Sequence, residues 1–266
     1  MAQYLVTGGA CFIGANIAQR LLNLGHKVTT IDNLSSGYES CIPKQCEFIK
    51  GDISDKKSIE QLNNKIFDAI LHIAGQSSGE ISFEDPVYDI NSNAVSTLRL
   101  LDYAVKTDCQ RFIYASSMSV YGQQGRKEQF SEQDSLQPKS FYAVGKVASE
   151  HYLRIYEEQF GIDYTVLRYF NVYGAGQNLA NLKQGMVSIY LKQFIDDDFK
   201  KVDKIMSKYT PIFFMIIYGG ICGAYFVGGD NFFDIIPKDI LVIIVIGFIL
   251  TNQAIIVSFL TYYKEK

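Results

Sequence analysis

The chain has 266 residues, 48% of them hydrophobic and 20% charged, with a formal net charge of −3. That length suits one large domain or two of about 150 residues each. The apolar content excludes a disordered chain, and the mild acidity excludes a basic nucleic-acid binder.

Short apolar runs alternate with helical patterns over the first 170 residues. Tyr4-Leu5-Val6 reads as a buried strand, followed by glycines and by Ile13, Ile17, Ala18, Leu21 and Leu22 at helical spacing. Gly25 stops that helix, and Val28 to Ile31 forms a second strand. Cys46 to Ile49 and Ala69 to Ile73 give the third and fourth strands. Val95, Leu98, Leu101, Ala104 and Val105 line one face of a helix, and Arg111 to Ala115 is the fifth strand. A long helix from Phe141 to about Phe160 and a sixth strand, Tyr164 to Arg168, complete the series. Apolar strands alternating with helices predict an α/β fold: a doubly wound, Rossmann-like parallel sheet covered on both faces.

Beyond residue 200 the composition changes. Residues 1–200 hold 19 Lys/Arg and 23 Asp/Glu, whereas residues 201–266 hold 6 and 5. Pro211 to Gly229 is nineteen residues without a charge, and Ile240 to Tyr263 is twenty-four. Both are long enough to cross a hydrocarbon core of roughly 30 Å, and neither shows the polar face of a core helix. The expectation is therefore two domains: residues 1–200, and a hydrophobic tail, 201–266, carrying a transmembrane hairpin (211–229 and 240–263). The alternative is a pair of core helices. Gly219 and Gly223 have the small-xxx-small spacing of closely packed helices. Six flanking lysines against Lys238 in the link place both chain ends in the cytoplasm. No basic region precedes an apolar core at the N-terminus, so no cleavable signal peptide is expected. Cys11, Cys41, Cys46, Cys109 and Cys222 include no CxxC and have no histidine partners at zinc spacing, so no metal site is expected.

Thr7-Gly8-Gly9-Ala10-Cys11-Phe12-Ile13-Gly14 lies between the first strand and the first helix, where a dinucleotide pyrophosphate meets a helix N-terminus. Asp32 ends the second strand, placed to accept hydrogen bonds from the adenosine ribose, and an acid there favours NAD. Cys11 occupies the position where such a loop needs its middle glycine. Either the thiol is tolerated and weakens NAD binding, or the site no longer holds the cofactor.

Tyr142 and Lys146 are one helical turn apart in Ser-Phe-Tyr-Ala-Val-Gly-Lys. A lysine beside a phenol stabilises phenolate, which makes Tyr142 a candidate base near neutral pH. Ser117, just past the fifth strand, is placed to orient a substrate hydroxyl against Tyr142.

With these motifs in order, the first 200 residues resemble the extended short-chain dehydrogenase/reductases, specifically the nucleotide-sugar epimerases and dehydratases. The resemblance rests on TGGACFIG, Asp32 in IDNLSSG, Gly51-Asp52-Ile53, Leu71 to Ser78, Arg111 to Ser117, YAVGK and Leu167 to Gly174. It implies cofactor contacts from Gly8, Cys11, Phe12, Ile13, Gly14, Asp32 and Asn33. It also implies them from Asp52 and Ile53 at the adenine, from Ile73, Ala74 and Gly75, and from Tyr142 and Lys146. Ser117, Tyr142 and Asn171 would meet a UDP-sugar, Asn171 at its diphosphate. Met118-Ser119 stand where the dehydratases carry Asp-Glu. Gln177-Asn178-Leu179 and Lys183 to Tyr190 look most like UDP-glucose 4-epimerases of surface-polysaccharide pathways.

The implied chemistry is transient oxidation at C4 of UDP-glucose or UDP-N-acetylglucosamine. Tyr142 would take the 4-OH proton, Ser117 would polarise the oxygen, and Lys146 would hold the nicotinamide ribose. The family's Arg-Asp-Phe run has no counterpart after Asp196, so the substrate domain is expected to be largely missing. The resemblance is compatible with a homodimer. The competing reading, from a different class, is a catalytically inactive, membrane-anchored Rossmann remnant that at most binds nucleotide.

Overall fold

The computed structural model describes residues 1–123 and 129–178, together with residues 189 and 192. Six parallel strands form one sheet: β1 (Gln3–Thr7), β2 (Lys27–Asp32), β3 (Glu47–Lys50), β4 (Ala69–His72), β5 (Arg111–Ser117) and β6 (Asp163–Tyr169). Their order is β3-β2-β1-β4-β5-β6, the arrangement of a doubly wound dinucleotide fold. Register runs Leu5 against Thr29 on one side and against Ile70 on the other. Both faces of the central strands are buried, so β1 and β4 carry continuous apolar runs, Leu5-Val6 and Ala69-Ile70-Leu71, rather than an alternating pattern.

Alternate residues feed two cores. Val6, Val28 and Leu71 pack under Ala18 of α1 (Phe12–Asn23). Leu5, Ile70 and Phe112 pack under Leu100 and Leu101 of one helix and Leu153 of another. These are α5 (Ser96–Lys106) and α6 (Phe141–Phe160). Between β3 and α5 lie the short helices α2 (Lys56–Glu60), α3 (Gly79–Glu84) and α4 (Pro86–Ile90), which the hydrophobic periodicity does not show.

Asn91–Val95 forms a π-turn joining α4 to α5, and the backbone stays helical through it. Asn93, Ser96, Thr97, Leu100, Leu101 and Ala104 turn inward, while Val105 is exposed. The expected apolar face is thus corrected by part of a turn, since the core side of this helix begins with polar residues. The long helix starts where expected, because the Ser140 side chain accepts from Ala143 N–H. It ends on Gly161 at φ +72°, a left-handed conformation that glycine adopts without cost.

The segments 211–229 and 240–263, with Gly219, Gly223 and Lys183 to Ser188, lie outside the described residues. Among the described residues no helix is long and apolar enough to cross a membrane.

Candidate active site

At the carboxyl edge of the sheet, where strand order reverses between β1 and β4, lies a cavity of about 650 Å³. Every proposed cofactor and catalytic residue lines it, from Gly8 at one end to Ser117, Tyr142, Lys146 and Asn171 at the other.

The dinucleotide end is built from the β1–α1 turn. Gly8 has φ +73°, and its N–H donates to the Ile31 carbonyl. A Cβ on Gly14 would sit 2.1 Å from the Gly8 carbonyl oxygen, so only glycine lets α1 close onto the loop. Asp32 ties this turn to β2: one carboxylate oxygen accepts from Ala10 N–H at 3.0 Å and the other from Leu34 N–H at 2.8 Å. Each oxygen keeps a lone pair for a ribose hydroxyl. Asn33 donates to Asp52, whose other oxygen accepts from the Ser54 N–H and hydroxyl. Burial pushes the Asp52 carboxyl up, but the bonds from Ser54 and Asn33 outweigh it and hold the group below its usual range. Ile53 is buried beside it, and Phe12 and Ile13 open α1.

Cys11 caps α1 with φ −101° and ψ 165°, ordinary extended backbone that any residue adopts. Backbone strain is therefore no obstacle at Cys11, and what its side chain changes is the room left in the loop. Its Sγ lies 3.5 Å from Ser36 Oγ. Burial, more than the Ser36 contact offsets, pushes the thiol pKa up, so the group is an uncharged SH at neutral pH.

At the other end, Ser117 ends β5 and starts a short 3-10 turn, accepting from Ser119 N–H and donating to Ser119 Oγ at 3.1 Å. Tyr142 and Lys146 project from the first turns of α6, both nearly buried. The Lys146 ammonium donates to the Ala115 carbonyl at 2.9 Å and stands 5.6 Å from the Tyr142 ring centroid. Burial lowers the Lys146 pKa to about 8, against the upward pull of Asp89 and Glu150. Burial raises the Tyr142 phenol, and the Ser117 hydrogen bond recovers only part of that rise. The expected phenol shifted toward neutrality is thus corrected: the lysine faces the ring and a backbone carbonyl, and desolvation dominates. Asn171 follows β6 and is exposed on the cavity rim.

Sequence reasoning missed a buried polar layer beneath these groups. Asp89 accepts from Gln76 at 2.8 Å and from Asn93 at 3.2 Å. A Cβ on Gly75 would come within 2.5 Å of Asn93 Oδ1 and 3.4 Å of Lys146 Nζ, so glycine lets this layer reach the catalytic end. Glu150 and Arg168 pair at 2.7 Å, and Arg168 also donates to Tyr121 OH, which braces β6 against α6. The available signal was polar residues at i, i+3 and i+4 (Asn93, Ser96, Thr97) on a helix face that packs inward.

The NAD dependent epimerase/dehydratase family matches residues 4–207. A UDP-glucose 4-epimerase of Mycolicibacterium smegmatis is 36% identical over 192 residues, 70% of this chain and 61% of that protein. The solved UDP-glucose 4-epimerase of Thermotoga maritima with UDP-glucose is 33% identical with a TM-score of 0.69, over 72% of this chain and 62% of that one. The Thermus thermophilus UDP-glucose 4-epimerase complex with NAD is 35% identical with a TM-score of 0.65, over 70% of this chain and 60% of that one. The chain thus spans less than two thirds of the length of these relatives.

Proposed function

We propose, on the premise that the chain belongs to the NAD dependent epimerase/dehydratase family, that it interconverts the C4 epimers of a UDP-sugar. UDP-glucose and UDP-N-acetylglucosamine are the candidate substrates, and surface-polysaccharide sugar metabolism is the setting. The observation that carries this reading is convergence: Ser117, Tyr142 and Lys146 open onto the same cavity as the glycine turn and Asp32. NAD, the family's cofactor, fits the donor set at the dinucleotide end, with an acid at the ribose position and a glycine turn at a helix start. When bound it supplies the hydride acceptor and donor for C4.

The chain's own residues do the rest. Ser117 holds the sugar 4-oxygen toward Tyr142, which takes the proton there through its minor phenolate form and returns it as the phenol. Lys146 places a positive charge beneath the phenol and holds the nicotinamide ribose. Gly8, Cys11, Phe12, Ile13 and Gly14 cradle the pyrophosphate. Asp32 and Asn33 serve the adenosine ribose, Asp52 and Ile53 the adenine, and Ile73, Ala74 and Gly75 the rest of the cofactor wall. Asn171 meets the sugar-nucleotide diphosphate. The test is calorimetric titration of the full chain with NAD, followed by NMR of UDP-glucose incubated with the loaded protein. Appearance of UDP-galactose supports the reading. Absence of NAD binding by a folded protein overturns it, and binding without turnover leaves the non-catalytic alternative.

The charge-free stretches 211–229 and 240–263 support a membrane hairpin, with residues 230–239 outside and the lysine-flanked ends in the cytoplasm. Recovery in the membrane pellet, with an Asn231→Cys thiol labelled by an impermeant reagent on intact cells, is the expected result. Recovery in the soluble fraction refutes it.

A further inference from the structure

His72 ends β4, is 1% exposed, and has no part in the chemistry above. Its neighbours fix where its proton sits. Thr7 Oγ1 accepts from the Ile73 N–H at 3.1 Å and the Ala74 N–H at 3.0 Å, which uses both lone pairs. Its own hydrogen must then point at His72 Nδ1, 2.9 Å away, so Nδ1 is the bare nitrogen. The other side agrees independently. Thr97 Oγ1, 3.1 Å from Nε2, spends its hydrogen on the Asn93 carbonyl at 2.6 Å and is left to accept. Ser96, 3.5 Å from the same nitrogen, spends its hydrogen on the Ser92 carbonyl. The Asn93 carbonyl in the π-turn also accepts from Ser149, on the helix that carries Tyr142 and Lys146.

We propose that His72 is a positioning residue, locked as the Nε2–H tautomer, that couples the dinucleotide wall to the catalytic helix. The path runs from Ile73 and Ala74 through Thr7, His72 and Thr97 to the Asn93 carbonyl, and meets α6 at Ser149. A directional chain transmits geometry only in one hydrogen-bond polarity, and both ends of this one dictate the same polarity. Burial in this site holds the imidazole neutral, with its pKa lowered to about 3, so the polarity persists over the working range.

The inference rests on the epimerase reading only for its turnover arm. The chain has three histidines, so long-range proton–nitrogen NMR of ¹⁵N-histidine-labelled full chain resolves each ring. His72, assigned by elimination with His26→Gln and His151→Gln chains, is expected as Nε2–H and invariant between pH 8 and 5. An Nδ1–H form, or titration near the ordinary value, overturns the proposal even if no His72 variant folds.

Two variants then separate the ends. His72→Asn puts an amide oxygen near the Nδ1 position and keeps the Thr7 link, while His72→Gln reaches Thr97 and gives up Thr7. His72→Gln is expected to raise the NAD Kd at least about tenfold, more than it lowers saturated turnover. His72→Asn should do the reverse. Variants of equal thermal stability that shift Kd and turnover alike, or shift neither, refute the coupling. If the parent binds NAD without turnover, the Kd comparison alone decides His72, and it is the epimerase reading that falls.

Discussion

The substitution Lys146→Met should stabilise this fold while abolishing turnover. The ammonium is nearly buried, and its pKa falls from 10.5 to about 8. A lysine whose folded pKa lies below its unfolded value opposes folding while it is charged. That penalty is complete below pH 8 and disappears as the pH rises from 8 toward 10.5. The shift corresponds to about 3 kcal/mol at pH 7. Against it, the methionine would leave the Ala115 carbonyl without its donor, costing about 1 kcal/mol, while the linear side chain still packs on the Tyr114 ring. The net expectation is a gain of about 2 kcal/mol, or roughly 5 °C in Tm for a domain of this size. Urea and thermal unfolding of parent and variant at pH 7, 9 and 10.5 provide the assay, with UDP-sugar turnover measured alongside. A variant less stable than the parent at pH 7, or a stability gap indifferent to pH, refutes the reasoning.

Tyr142→Phe is expected to cut C4 epimerisation by at least roughly a hundredfold with the fold intact, because the proton acceptor at the 4-oxygen is gone. Equal rates remove Tyr142 from the mechanism. Cys11→Gly should tighten NAD binding by about threefold or more, since the thiol lines the loop and donates no cap that glycine would lose. An unchanged or weaker Kd by calorimetry shows the thiol is no obstacle. The buried His72 has a folded pKa of about 3. Set against about 6.5 unfolded, its share of stability is complete above pH 6.5 and declines as the pH falls toward 3, by about 2 kcal/mol at pH 5. The parent should lose that much more than His72→Asn between pH 7 and 5 in urea titrations, and parallel curves contradict it.

What the sequence made legible follows a physical division. Apolar runs such as Ala69-Ile70-Leu71 mark strands buried on both faces, and strand–turn–helix spacing puts Gly8, Gly14 and Asp32 at one sheet edge. Tyr142 and Lys146 share a turn of α6 because i and i+4 always do. The hidden part is long-range. Nothing in LHIAG indicates that His72 meets Thr97 in a helix 25 residues on, or that a π-turn brings Asn93 beneath Lys146. Direction was also hidden. Lysine four residues after tyrosine suggests a depressed phenol, yet Lys146 is turned onto the Ala115 carbonyl and burial raises the phenol instead.

The same geometry narrows the reaction class. Removing water across C5 and C6 of a sugar needs an acid and a base beside the hydroxyl that starts the oxidation. Met118 and Ser119 follow Ser117, and neither carries a carboxyl: Ser119 gives its N–H to Ser117 Oγ and accepts from the Ser117 hydroxyl. Among the described cavity residues the carboxylates are Asp32 and Asp52, both at the dinucleotide end. Of the nearby acids outside that lining, Glu150 is engaged by Arg168 and Asp89 is buried between Gln76 and Asn93. Ser117 and Tyr142 are left to handle one proton at one oxygen. Among the described residues no second acid–base pair for elimination lines the cavity, and this favours the proposed epimerisation over dehydration.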